Sequence, residues 1–311
     1  MAASLTTGER WRLGLIAAVW VVDLALLPFA PFQVAWASFT PVVLWTAVLA
    51  LVTLVYTVWR PDARLAHVAR ATAEILVFVL GAALANYLGF LAGRPLFDAE
   101  LVAADALLGF HWPSFVAWLG SLPYVDPVLL LAYESSLPQV ALMVVFLALS
   151  GRQARLDFFL IAFMVSALVT IAVWTAFPTF GAYAYYLALG TEVSSAGLAV
   201  DPAYAHALIA MHAGQFAAVG FDTIVGLVGF PSFHTCLAVL CAFALWGVRG
   251  LGPLALAVNA LVLFSVPAQG GHHLADIFGG LVAIAFAMWL ARRVLARAGS
   301  AVRIAALVPA E

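Results

Sequence analysis

Polar and charged positions in this chain fall in narrow bands, and between the bands run eight apolar stretches of about 17 to 22 residues. At 1.5 Å per residue each is long enough, as a helix, to cross a bilayer's hydrocarbon core. They cover roughly residues 11–29, 41–59, 75–91, 128–149, 158–177, 231–248, 251–268 and 272–290. Two connections are more than links. In 92–124, apolar residues recur at helical spacing between Asp98, Glu100 and Asp105, which predicts an interfacial or re-entrant amphipathic helix. The connection 178–229 is too long to be idle. It holds Tyr183, Tyr185 and Tyr186 and a helical-looking stretch at 202–218 with His206 and His212. It reads as a lid or a lipid-entry wall, with the tyrosines equally suited to an interfacial belt. No repeat or linker divides the chain.

Composition agrees with a membrane protein. The 311 residues are 66% hydrophobic and 9% charged, against about 25% charged in a soluble domain. There is no lysine, and a chain rich in Ala, Leu and Arg hints at a GC-rich bacterial source. Twelve of the thirteen arginines (10, 12, 60, 64, 70, 152, 155, 249, 292, 293, 297 and 303) fall in connections or tails on one side of an eight-span layout. By the positive-inside rule that side is the cytoplasm, with both termini on it. The first apolar run is long enough to span and lacks a clear cleavage site, so no cleavable signal is expected. Cys236 and Cys241, five apart in one apolar run, read as core packing. The net charge of −2 says little about partners, and none is expected among nucleic acids.

The layout makes the histidines informative. There are seven: 67, 111, 206, 212, 234, 272 and 273. A lone histidine near an interface is ordinarily structural. Here His234, His272 and His273 open two spans on the side opposite the arginines, where they can share an extracytoplasmic pocket with Arg94. Asp276 lies four residues after His272, so a helix stacks the two on one face. The Pro231–Ser232 turn before His234 prepares a helix N-terminus whose backbone N–H groups can hold an anion. A histidine nucleophile in phosphoryl transfer fits these parts. Asp23 and Glu134, acids inside apolar runs, keep a transporter reading open.

Residues 230–235, reading Phe-Pro-Ser-Phe-His-Thr, and 272–280, reading His-His-Leu-Ala-Asp-Ile-Phe-Gly-Gly, resemble the two histidine motifs of the type 2 phosphatidic acid phosphatase superfamily. They are most similar to its inositol phosphorylceramide synthase branch, as is the segment 94–109, over roughly residues 70–295 in all. The resemblance implies an all-α membrane protein of about eight transmembrane helices. Two N-terminal helices and a loop (1–62) would precede a six-helix catalytic core (63–296) and a cytoplasmic tail (297–311). It implies a phosphohistidine intermediate with no metal or other cofactor. His272 would be the nucleophile, Asp276 its orienting carboxylate, and His234 the acid and then the base. Ser232, Arg94 and His273 would contact substrate, with His273 the alternative nucleophile.

Departures from the family pattern bear on the substrate. Phosphatase members carry a serine-arginine pair ahead of the nucleophile, where this chain reads Ser265 and Val266; residues 177–182, Phe-Pro-Thr-Phe-Gly-Ala, hold no cation. A phosphomonoester dianion in a low-dielectric site needs several fixed cations, and a phosphodiester needs fewer. The expectation is therefore transfer of a phospho-headgroup from a glycerophospholipid donor to a ceramide-like or other lipid alcohol. The alternative within the same chemistry is a lipid phosphate or polyprenyl diphosphate phosphatase. The location expected is a bacterial inner membrane, with the site on the periplasmic face.

Overall fold

The computed structural model describes residues 5–191, 193, 197–216 and 218–297. Most of the expected tail 297–311, Arg303 included, lies outside them. The described residues form helices α1 (Thr7–Leu26), α2 (Thr40–Leu54), α3 (Ala63–Leu88), α4 (Asp98–Leu107), α5 (Trp112–Gly120), α6 (Val125–Glu134) and α7 (Ser136–Leu149). Then follow α8 (Gln153–Ala176), α9 (Ala182–Ala188), α10 (Pro202–His212), α11 (Phe233–Ala244), α12 (Leu251–Gln269) and α13 (Leu274–Arg297). No strand forms among them, so the architecture is an all-α integral membrane bundle.

Helix α8 is its axis. Every residue from 156 to 167 on it is buried, because α1, α3, α7, α11 and α13 all pack against it. Helix α2 is the opposite case. None of its residues is buried, and Leu44, Trp45 and Leu51 are more than half exposed, as lipid-facing side chains are in a bundle.

The count of eight spans is not confirmed. Six helices among the described residues are long and apolar enough to cross a membrane, or seven if the pair α5–α6, bent by 116°, counts as one span. The stretch expected at 128–149 is split into α6 and α7 around Ser135. Pro138 is the physical reason, since it has no N–H to donate to the Glu134 carbonyl one turn back. The stretch expected at 231–248 contains only the 12-residue α11, about 18 Å long. It stops in a turn through Gly247, whose φ is +76°. Between α3 and α6 there are two short helices, α4 and α5, in place of one amphipathic helix. The helix expected at 202–218 ends at His212.

The arginine end is tied together by buried charge. Arg12 of α1 bonds Glu74 of α3 at 2.5 Å and also pairs with Asp157 of α8. Arg70 pairs with Glu9, which forms a capping box with Thr6 at the start of α1. Contacts of residues 9 and 12 with 70 and 74 run in step, so α1 and α3 lie parallel. The expected boundary at residue 62 thus falls between side chains that share one ion network.

Candidate active site

At the other end of the bundle, α11 and α13 begin side by side. Gly279 and Gly280 make this possible. A Cβ on Gly280 would stand 2.5 Å from the Ser232 carbonyl oxygen, and one on Gly279 would stand 2.5 Å from the Phe230 ring. The Ser232 N–H donates to the Asp276 carbonyl at 3.0 Å, joining the two helix starts through backbone. The Ser232 side chain, fully buried, caps α11 by accepting from the Thr235 N–H at 3.4 Å.

His272 stands just before α13 and is 5% exposed. Its Nδ1–H donates to Asp276 Oδ2 at 2.9 Å, leaving Nε2 with its lone pair. The same carboxylate oxygen accepts the His273 N–H at 3.0 Å. In the first turn of α11, His234 stacks on Tyr133 of α6, with ring centroids 4.1 Å apart and Tyr133 Oη 3.2 Å from its Nδ1. Gly270 brings the two groups together. A Cβ there would lie 2.5 Å from His272 Cδ2 and 2.8 Å from Tyr133 Oη. Any side chain at position 270 would occupy the space between nucleophile candidate and tyrosine.

His273 turns the other way. It is fully buried, with Nε2 3.2 Å from Asp98 Oδ1 and Nδ1 3.7 Å from Asp105 Oδ2. Burial alone would lower its pKa, but the Asp105 and Asp98 carboxylates beside the ring outweigh it and raise the pKa to about 9. Both carboxylates also hold backbone. Asp98 accepts the Phe180 and Gly181 N–H groups at 2.9 and 3.0 Å. Asp105 accepts the Leu274 and Ala275 N–H groups at 2.9 and 2.8 Å, capping α13 from a distant helix. Nε2 is thus engaged by Asp98, while Nδ1 faces Asp105 without a hydrogen bond.

Arg94 is exposed and lines a separate cleft with Phe90, Trp174, His212 and Phe216; neither His234, His272 nor Asp276 lines that cleft. The structure therefore brings His234, His272, Asp276 and the Ser232 turn together, while Arg94 lines a different cleft. Tyr133, Asp98 and Asp105 are the residues that reasoning from sequence missed as parts of the site. Asp98 and Asp105 had been noted only as acids of an outer helix.

The family model described as the PAP2 superfamily matches residues 99–290. The chain belongs to the PAP2 superfamily. The match covers α4 through most of α13 and so takes in both histidine motifs, Tyr133 and Asp105. No curated protein and no solved structure matches the chain.

Proposed function

We propose that this PAP2 superfamily member transfers a phospho-headgroup between lipids through a phosphohistidine on His272. What carries the reading is the charge around the histidines. The chain has no lysine, and Arg94 lines another cleft, so among the described residues the site offers imidazoles and backbone N–H groups with no guanidinium seen to contact the histidines. A phosphodiester monoanion suits that environment better than a phosphomonoester dianion.

In the first half-reaction, His272 Nε2 attacks phosphorus. The bond from phosphorus to the glyceryl oxygen breaks, and His234 donates its Nε2 proton to that oxygen as diacylglycerol leaves. Tyr133 holds the His234 ring by its Nδ1, keeping Nε2 toward the leaving group. In the second half, His234 takes the proton of an acceptor hydroxyl, whose oxygen displaces His272 from phosphorus. Asp276 steadies the imidazole through Nδ1 and offsets the positive charge that develops on it. N–H groups of the first α11 turn, set by the Ser232 cap, bind non-bridging oxygens. His273, bonded to Asp98 through Nε2 and to Asp276 through its backbone N–H, orients the shell around Asp276. Residues 63–296 form the catalytic core on this reading, and the arginine distribution favours a cytoplasmic arginine end and a periplasmic histidine end.

The deciding experiment gives the full-length protein, in mixed micelles, headgroup-labelled phospholipids with ceramide or diacylglycerol. Label in a new lipid is the expected result, abolished by His272→Ala. Release of inorganic phosphate from phosphatidic acid without headgroup transfer would make the protein a phosphatase.

A further inference from the structure

The cleft beside Arg94 is left without a role by the chemistry at His272. Its volume is about 310 Å³, enough for a headgroup and the first methylenes of a chain but not for a whole lipid. Arg94 and His212 supply its titratable groups. Its inner wall is aromatic. Phe90 packs edge-on against both Trp174 and Phe216, with centroids 5.3 Å apart in each pair. Gly89, Gly93 and Gly214 leave backbone at the surface of the cleft, Gly93 and Gly214 with φ of +56° and +79°.

An arginine, packed aromatic rings and bare glycine backbone in one cleft suit an anionic amphiphile. Arginine is the side chain best matched to a phosphate, through its paired N–H donors. Among the described arginines, Arg12, Arg70, Arg155 and Arg292 make their contacts at the opposite end of the bundle. We propose that this cleft is a second binding site, for the phosphate group of an anionic amphiphile, separate from the site of transfer.

The cleft also shares structure with the histidine site. Pro178 lines it, and its carbonyl accepts the Phe97 N–H at 2.8 Å. Two residues on, Phe180 meets the His212 ring edge-on at 5.4 Å and donates its N–H to Asp98, the partner of His273. The strip 178–181 is therefore the common wall.

The test uses full-length His272→Ala protein in neutral detergent, so that binding is read without turnover. Titration calorimetry with lysophosphatidylglycerol, an anionic phosphodiester amphiphile, should show two classes of site. Arg94→Gln should weaken one class about tenfold or more and leave the other unchanged, as loss of one charge-assisted contact does. Arg94→Lys should recover most of it. Thr175→Trp, which fills the cleft without altering the arginine, should abolish the same class, and unchanged elution and melting would show that the variants fold. Displacement of that class by inorganic phosphate alone would identify the free ion as the ligand; no displacement would identify a lipid headgroup. Binding indifferent to Arg94→Gln and Thr175→Trp overturns the proposal, as does equal binding of a neutral monoacylglycerol. Neither result touches the transfer reaction, which fails separately if His272→Ala protein still turns over.

Discussion

Tyr133 and His234 lie face to face, rings 4.1 Å apart, with the phenol oxygen 3.2 Å from Nδ1. They come from helices about a hundred residues apart in sequence. The pairing fixes which His234 nitrogen is left for chemistry.

Tyr133→Phe keeps the stack and removes the hydrogen bond. A net bond of about 1–1.5 kcal/mol corresponds to a rate loss of about tenfold. The expected result is that fall in kcat/KM with melting unchanged, and a displaced limb in the pH–rate profile. Tyr133→Ala, which loses the stack as well, should fall further. A Phe variant with wild-type rate and pH profile would remove Tyr133 from the site.

Asp98→Asn tests the carboxylate shell. The buried oxygens now accept two N–H groups and the His273 imidazolium, and breaking one side of such a pair costs about 3–5 kcal/mol. Melting of the variant in detergent should drop accordingly. The wild type should also show a pH signature. The folded-state pKa of His273, about 9, stands above its usual 6.5. The stability it contributes is therefore full below about pH 6.5 and lost as pH rises through about 9. Melting curves from pH 6 to 10 should show that decline, and Asp98→Asn should flatten it.

At the arginine end, Arg12→Met leaves Glu74 and Asp157 buried without their cation. It should destabilise by about 3–5 kcal/mol. Replacing all three with apolar residues of similar size should restore most of that stability, because no charge then remains to desolvate. Thermal melting of the single and triple variants decides it. A triple variant no better than the single one would mean that the network orders α1 in a way that apolar packing cannot replace.

The sequence carried the all-α class and the sharing of one end by two histidine motifs, because both are written in local spacing. Residues 272 and 276 are one helical turn apart, and the arginine bands mark which helix ends coincide. What it could not show depends on distant partners. Tyr133 sits in an apolar run where an aromatic residue is ordinary lipid-facing or core material, and only the fold brings it to residue 234. Asp98 and Asp105 looked like the polar face of a surface helix, yet both are buried against residues about 170 positions later. The helix breaks were not legible because hydropathy runs unbroken through Ser135 and through residues 245–248, where backbone geometry interrupts the helices.

The bond from the Ser232 N–H to the Asp276 carbonyl, with Gly279 and Gly280 pressed beneath it, fastens the starts of α11 and α13 to each other. His234 and His272 therefore ride on one rigid joint. On the proposed transfer reaction, room for lipid substrates is then made by parts of the site other than this joint. Opening elsewhere would then leave the relative placement of the two imidazoles unchanged.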